Sequence, residues 1–434
     1  MKTINILFDA SSIVEGMNTA SVNRAGIFWC AYNILRQFSK NPLYKIILLV
    51  PPKIFFRKRS DINNFLSSFP SIKVTAIDQS ILYKKIKVHK NHIIKTRNII
   101  LIMTRIIKIF YNLIMIVLSK IDKKIIYDID VYFSPVYAIP DKVKRKSDIV
   151  LFLLLHDCII NLENIPIDTQ ANQNDWYIKM IQDLNKETYY FCNSECTKND
   201  FLRLFADQLD ESKMFVTPIA TSQAFYPNYD KPVLKKTLAK YNIIQKNNDC
   251  YIFSFCSIYP RKNLAFTIKC FIKFIKKHTI NNMYFYLGGA YIPEYIEEFE
   301  KEIDEFADYK DKIIRLGYVD DDDVNILYSN SMFFTYLSQY EGFGIPPLEA
   351  MQAGTPVICS NNSSLPEVVG DAAITITYND ENACIKAFED LYFSEELRKF
   401  YINKGIEHAK LFSWEKTFDL MNDRIMNILS KKVS

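Results

Sequence analysis

The chain lacks a cysteine framework. Its nine cysteines follow no repeating spacing. The nearest pair, Cys192 and Cys196, has no second Cys or His pair beside it to complete four metal ligands. Scattered thiols in an odd number fit a reducing compartment better than a disulfide-stapled secreted scaffold. Glycine is scarce, at 10 of 434 residues, which excludes a collagen-like chain. No segment is of low complexity and no period repeats, so neither disorder nor a solenoid array fits. The opening Met1-Lys2-Thr3-Ile4-Asn5-Ile6-Leu7-Phe8-Asp9 has too short an apolar run for a cleaved leader, and Asp9 breaks it. It reads as the first buried strand of a sheet.

What is present is ordinary for a soluble globular protein: 49% hydrophobic and 24% charged residues. A chain of 434 residues exceeds one hydrophobic core, so two domains of about 200 residues each are expected. The net charge of +5 hides an asymmetry. Residues 1–150 hold 25 Lys and Arg against 9 Asp and Glu, or +16, leaving 29 against 40, or −11, for residues 151–434. The basic half suits nucleic acid, anionic lipid or a phosphorylated acceptor. It lacks the interleaved stacking aromatics of a nucleic-acid module, so no nucleic-acid partner is expected.

Short apolar runs at 45–50, 131–134, 149–155, 188–192, 251–256, 283–288, 312–316, 332–335 and 356–359 alternate with longer stretches of helical spacing. That alternation predicts an α/β protein with parallel, doubly wound sheets. Residues 220–248, with Pro227 and Pro232 and little periodicity, read as a linker. Two domains then face each other across a cleft, and ligands bind such sheets at the carboxyl ends of the strands.

Residues 81–124 hold eleven Lys or Arg and one acid, Asp122. Within them, 99–118 is apolar except for Arg105 and Lys108. The run is long enough to span a bilayer, but two central charges would cost about 2.5–3.5 kcal/mol each. An interfacial helix with a basic face and a long buried helix with a basic flank both fit better. Whether 99–118 docks on a membrane or lies in the core is open at this level.

The segment around 338–349 carries the clearest chemistry. Two glycines follow a strand-like run, then Pro346 and Pro347 open a helix, where missing N–H donors cost nothing. Strand, glycine turn and helix N-terminus together form an anion site. Glu341 and Glu349 flank it, as carboxylates that accept from sugar or ribose hydroxyls. A turn without a ligand is the plain alternative. After the run at 251–256, Arg261 and Lys262 in Tyr259-Pro260-Arg261-Lys262-Asn263 suit a diphosphate, through a fork and a point charge respectively. His156 and Asp157 end the run at 149–155, where a cleft would lie.

The stretch Ser338-Gln339-Tyr340-Glu341-Gly342-Phe343-Gly344-Ile345-Pro346-Pro347-Leu348-Glu349-Ala350-Met351-Gln352-Ala353-Gly354-Thr355-Pro356-Val357 resembles the retaining glycosyltransferases of family 4, the group 1 glycosyltransferases of GT-B fold. So does its continuation, Ser363-Ser364-Leu365-Pro366-Glu367-Val368-Val369-Gly370-Asp371-Ala372-Ala373. The family's mark is two glutamates separated by seven residues, matched by Glu341 and Glu349. The resemblance implies two Rossmann-like domains: 1–225 for the acceptor, joined by a returning C-terminal helix at 414–434, and 245–413 for a nucleotide-sugar donor. It puts Arg261 and Lys262 on the donor phosphates, Glu349 on the ribose, Glu341 and His156 at the reacting sugar, and Tyr318 and Val319 by the nucleobase. Gly342, Phe343, Gly344, Ile345 and Leu348 complete the donor site. The family's glycine loop falls at Asn23-Arg24-Ala25-Gly26-Ile27-Phe28, where this chain keeps one glycine, Gly26. Asn193-Ser194 matches a position at the domain interface.

Two features are decoys. Asp320 to Asp323 resemble a metal cluster but stand where a helix begins, and they read as its cap and first turn. The resemblance implies that no metal is required. Trp414 reads as a packing anchor at the start of the last helix. The activity implied is transfer of a hexose, from GDP-mannose or another nucleotide-hexose, with retention, to a glycan acceptor. A basic, partly apolar first domain suits a lipid-linked acceptor, polysaccharide or lipopolysaccharide assembly, and a cytoplasmic protein peripheral at the inner membrane face, with 81–124 as the membrane surface. A protein-glycosylating transferase, a non-catalytic scaffold subunit and an epimerase or hydrolase on the same fold are the alternatives.

Overall fold

The computed structural model describes residues 3–16, 26–50, 69, 73–75, 128–162, 165, 175–246, 248–290 and 292–433. The basic segment 81–124, its apolar stretch 99–118, and Asn23, Arg24 and Ala25 lie outside the described residues.

Seven described strands form the first sheet: β1 (Ile4–Asp9), β2 (Tyr44–Leu49), β3 (Lys73–Thr75), β4 (Val131–Ser134), β5 (Val150–Leu155), β6 (Tyr189–Cys192) and β7 (Met214–Val216). Their order is β3-β2-β1-β4-β5-β6-β7, and every pairing is parallel. The second sheet holds β8 (Cys250–Phe255), β9 (Met283–Gly288), β10 (Ile313–Gly317), β11 (Phe334–Tyr336), β12 (Val357–Ser360) and β13 (Ile374–Ile376), in the order β10-β9-β8-β11-β12-β13. It too is wholly parallel. The sequence of β5, Val-Leu-Phe-Leu-Leu-Leu, is buried at every position. An unbroken apolar strand is what a parallel sheet covered on both faces requires.

The order of the strands positions the site. In each sheet the winding reverses once, between β1 and β4 and between β8 and β11. Loops leaving the two strands at a reversal diverge and leave a crevice at their carboxyl ends. Because β8 and β11 are neighbours, Arg261 and Lys262 come to lie beside Glu341 although about eighty residues separate them in the chain.

The final helix, Trp414–Val433, returns to the first domain, as the resemblance implies. Phe418 meets Phe38 edge-on at 5.2 Å. Asn422 accepts from the Tyr44 hydroxyl at 2.6 Å. Trp414 is 6% exposed and its indole N–H donates to the Thr221 carbonyl at 3.0 Å.

Two expectations are corrected. The stretch read as a linker contains a helix, Lys231–Lys240, capped by the Asp230 side chain on the Val233 N–H and carrying a proline in its first turn. Leu234 and Leu238 are buried, but so few apolar positions among lysines hide the helical period. The acid cluster does open a helix, Asp321–Asn330, with Asp321, Asp322 and Asp323 in its first turn as expected, yet the Asp320 side chain makes no cap hydrogen bond. Asp323 instead pairs with Lys240 at 2.7 Å and accepts from the Tyr241 hydroxyl at 3.0 Å. Among the described residues, no group of three or more His, Cys, Asp or Glu could hold a metal ion, and no helix is long and apolar enough to cross a membrane. All nine cysteines are free thiols.

Trp414→Ala removes both a large buried ring and a partner for the Thr221 carbonyl. It should cost about 3–5 kcal/mol, read as a lowered urea midpoint. An unchanged midpoint would show that the helix is not anchored there.

Candidate functional site

Glu341 is the centre of the cleft-facing cluster. Its Oε1 accepts from Arg261 Nη1 at 2.9 Å, Lys262 Nζ at 2.5 Å and the Tyr336 hydroxyl at 3.1 Å. Lys262 also donates to the Tyr336 hydroxyl at 2.6 Å. Burial by itself would raise the Glu341 carboxyl; Arg261 and Lys262 outweigh it and hold the group down at about 2. Burial, and then the charge of Arg261, lower the Lys262 ammonium. Two cations therefore share one carboxylate, and a positive charge is left over in a buried setting. That surplus is what an anion such as a diphosphate relieves.

The backbone around this cluster is fixed by small hydroxyls. Ser338 Oγ donates between the Arg261 and Tyr340 carbonyls, at 3.1 Å to each. Ser364 Oγ lies 2.9 Å from the Glu341 carbonyl and 2.6 Å from that of Phe343. Gly344 has φ +119° and precedes the helix Ile345–Gln352; a Cβ there would meet Leu365 at 2.7 Å. The turn thus presents its backbone and the positive end of that helix together.

The first domain closes the other side. A Cβ on Gly26, the first residue of the helix Gly26–Lys40, would touch Ile345 at 3.4 Å. A Cβ on Gly342 would stand 2.6 Å from the His156 carbonyl oxygen, so only glycine allows that approach. The Gly342 carbonyl accepts from Ser194 Oγ at 2.8 Å and Thr197 Oγ1 at 3.1 Å. His156 Nε2 lies 2.8 Å from the Pro135 carbonyl. A carbonyl only accepts, so Nε2 carries the proton and Nδ1 is the ring's acceptor. Burial lowers this imidazole, which is therefore neutral.

The structure thus brings together Glu341, Arg261, Lys262, the turn from Gly342 to Ile345, Gly26 and His156. Glu349 stands apart from that cluster, bonded by the Tyr328 hydroxyl at 3.1 Å. Burial pushes its carboxyl up to about 7, with Asp321 adding to the rise. Tyr318 is 39% exposed, whereas Val319 is buried against Gly288. Leu348 is fully buried, and Phe343 is buried against the edge of Phe412. Val319, Phe343 and Leu348 thus pack beneath the site and leave almost no surface for a ligand.

Sequence reasoning missed Tyr336, Ser338, Ser364, Thr197 and Gly289. Tyr336 reads as an ordinary strand aromatic, and only the pairing of β8 with β11 puts its hydroxyl on Lys262. Gly289 follows β9 with φ +131°, and a Cβ there would lie 2.1 Å from the Cys256 carbonyl oxygen. Its Gly288-Gly289 pair was the available signal.

Residues 239–408, the second sheet with its helices, match the family model described as glycosyl transferases, group 1. The O-antigen chain mannosyltransferase B of Escherichia coli is 32% identical over 222 residues, 51% of this chain and 56% of that protein. The serotype-specific mannosyltransferase WbdA of Escherichia coli is 24% identical over 278 residues, 63% of this chain and 33% of that protein. The chain therefore spans between a third and about half of the curated relatives it matches. Among solved structures, a sucrose-phosphate synthase from Thermosynechococcus elongatus superposes with a TM-score of 0.66 at 15% identity, covering 99% of this chain and 100% of that one. Anabaena HepE in complex with UDP-glucose gives 0.65 at 14% identity, with coverage of 99% and 100%. The fold is GT-B, and the segment from 239 to 408 matches the group 1 glycosyl transferase model.

Glu349 supplies a prediction with a definite sign. Its folded carboxyl lies near 7 against an ordinary 4.5. The stability associated with its protonated form is complete below about 4.5 and lost as the pH rises through about 7. Glu349→Gln should therefore raise the melting temperature of the unliganded protein at pH 8 by about 2–5 °C, with little difference at pH 5. A lower melting temperature at pH 8 would contradict this burial.

Proposed function

We propose that the protein transfers a hexose from GDP-mannose or another nucleotide-hexose to a glycan acceptor, with retention at the anomeric carbon. The observation that carries the reading is the Glu341 carboxylate gripped by Arg261 and Lys262 beside a helix N-terminus, at the crevice of the second sheet. The mannosyltransferase names of the relatives and the UDP-glucose bound by HepE support a sugar-nucleotide donor. The O-antigen names favour lipopolysaccharide or other cell-surface polysaccharide assembly, on a lipid-linked acceptor, by a cytoplasmic protein peripheral at the inner membrane face.

In this reading Arg261, Lys262 and the backbone N–H groups from Gly342 to Ile345 take the charge that develops on the leaving diphosphate. Glu349 accepts from the ribose hydroxyls. Glu341, its Oε1 already engaged by three protein donors, offers Oε2 to a sugar hydroxyl. His156 offers Nδ1 to the sugar or the acceptor. The bond from the anomeric carbon to the phosphate oxygen breaks as the acceptor oxygen bonds to that carbon on the same face. The acceptor's proton passes to the leaving phosphate. The two cations and the N-terminus of the helix Ile345–Gln352 occupy the role that a divalent metal fills elsewhere, so no metal is needed.

The test begins with a panel of sugar nucleotides and the melting temperature of the full chain. One donor should stabilise it, by about 2.7 kcal/mol at a hundred times its dissociation constant. With that donor, Lys262→Ala and Glu341→Ala should each lower turnover at least about a hundredfold. Full activity in both variants would sink the site. Turnover should persist in excess EDTA; its loss there, restored by a divalent cation, would refute the metal-free scheme.

A further inference from the structure

Asp157 is a charged group of the first domain, beside the candidate donor turn, that the scheme above leaves without a task. It follows His156 beyond β5 and is half-buried. Its Oδ1 accepts the Ile159 N–H at 3.3 Å. The other oxygen, Oδ2, lies 3.2 Å from where a Cβ on Gly342 would stand. Gly342 begins the turn that serves as the phosphate cradle, so a carboxylate stands at the lip of an anion site. Ser194 and Thr197 hold the Gly342 carbonyl, and the turn cannot withdraw from Asp157 while the domains are in contact. Arg261 lies in the field of Asp157 as well as that of Glu341.

The charges explain what such a carboxylate does. In the empty cleft, Arg261 and Lys262 both pair with Glu341, and Asp157 acts on Arg261 through its field without pairing with it, so the positive surplus remains. A nucleotide sugar brings a diphosphate diester with two negative charges. Transfer frees a terminal phosphate whose second ionisation falls near pH 6, so the nucleoside diphosphate carries about three charges at neutral pH. A fixed carboxylate at the cradle repels the product more than the donor. We propose that Asp157 sets the preference of this site for nucleotide sugar over nucleoside diphosphate, and so favours release of the spent product. This rests on the donor-site reading above.

The test titrates the full-length protein with UDP, GDP, UDP-glucose and GDP-mannose, using wild type, Asp157→Asn and Asp157→Ser. Asn retains an oxygen for the Ile159 N–H; Ser is a second variant should Asn disturb the fold, and unliganded melting curves report on folding in both. At pH 7.5 the nucleoside diphosphate should bind the folded variants at least about fivefold more tightly than wild type. The matching nucleotide sugar should gain less, so the ratio of the two dissociation constants falls. Unchanged or weaker diphosphate binding in both variants would overturn the proposal, as would equal gains for donor and product. A wild-type protein that binds none of the four would overturn the donor-site reading itself, and this inference with it.

Discussion

Three donors, two from the turn after β8 and one from the end of β11, converge on one oxygen of Glu341. Removing any of them leaves a buried charge short of a partner, which costs more than the bond itself contributes. The arrangement therefore constrains its surroundings. It requires β8 and β11 to be neighbours, a proline-led turn that delivers Arg261 and Lys262 together, and a glycine turn that lets Glu341 face back across the sheet. The serines at 338 and 364 occupy the carbonyls of that turn. The surplus positive charge then follows from composition: two cations, one acid.

The same turn ties the two domains together. Gly342 approaches the His156 backbone more closely than any side chain would permit, and its carbonyl is held by Ser194 and Thr197. Glu367 accepts the N–H groups of Glu195 and Cys196, at 2.8 and 2.9 Å, and so neutralises the N-terminus of the helix Glu195–Phe205 from the opposite domain. Tyr340 donates to Asp200 at 2.6 Å. Each contact joins a residue beside the candidate donor turn to the first domain. Opening the cleft and reshaping the turn are consequently coupled.

Much of the fold was legible because parallel strands buried on both faces must be apolar throughout. All nine strand-like runs correspond to strands, along with β1. What escaped were three-residue strands, β3, β7 and β13, too short to carry a period, and the helix Lys231–Lys240, whose apolar face is two leucines wide. The candidate site was legible in its charged residues, since Glu341, Glu349, Arg261 and Lys262 sit in a long motif and its companion turn. The neutral partners were not. Tyr336, Ser338, Ser364 and Thr197 are common residues whose meaning comes from what tertiary structure brings within 3 Å. The burial of Leu348 and Phe343 was equally hidden in the sequence. So was the separation of Glu349 from Glu341: eight residues apart in the chain, they serve different neighbours and titrate in opposite directions.

The central claim is that the charge left over by Arg261, Lys262 and Glu341 exists to bind a diphosphate. A crystal structure of the full chain with its preferred sugar nucleotide tests this most directly. The account predicts the two phosphates between Arg261, Lys262 and the N-terminus of the helix Ile345–Gln352, with the Glu341 pairings intact or partly passed to the ligand, and the ribose against Glu349. Phosphates bound elsewhere, with Arg261 and Lys262 still wholly engaged by Glu341, would contradict it.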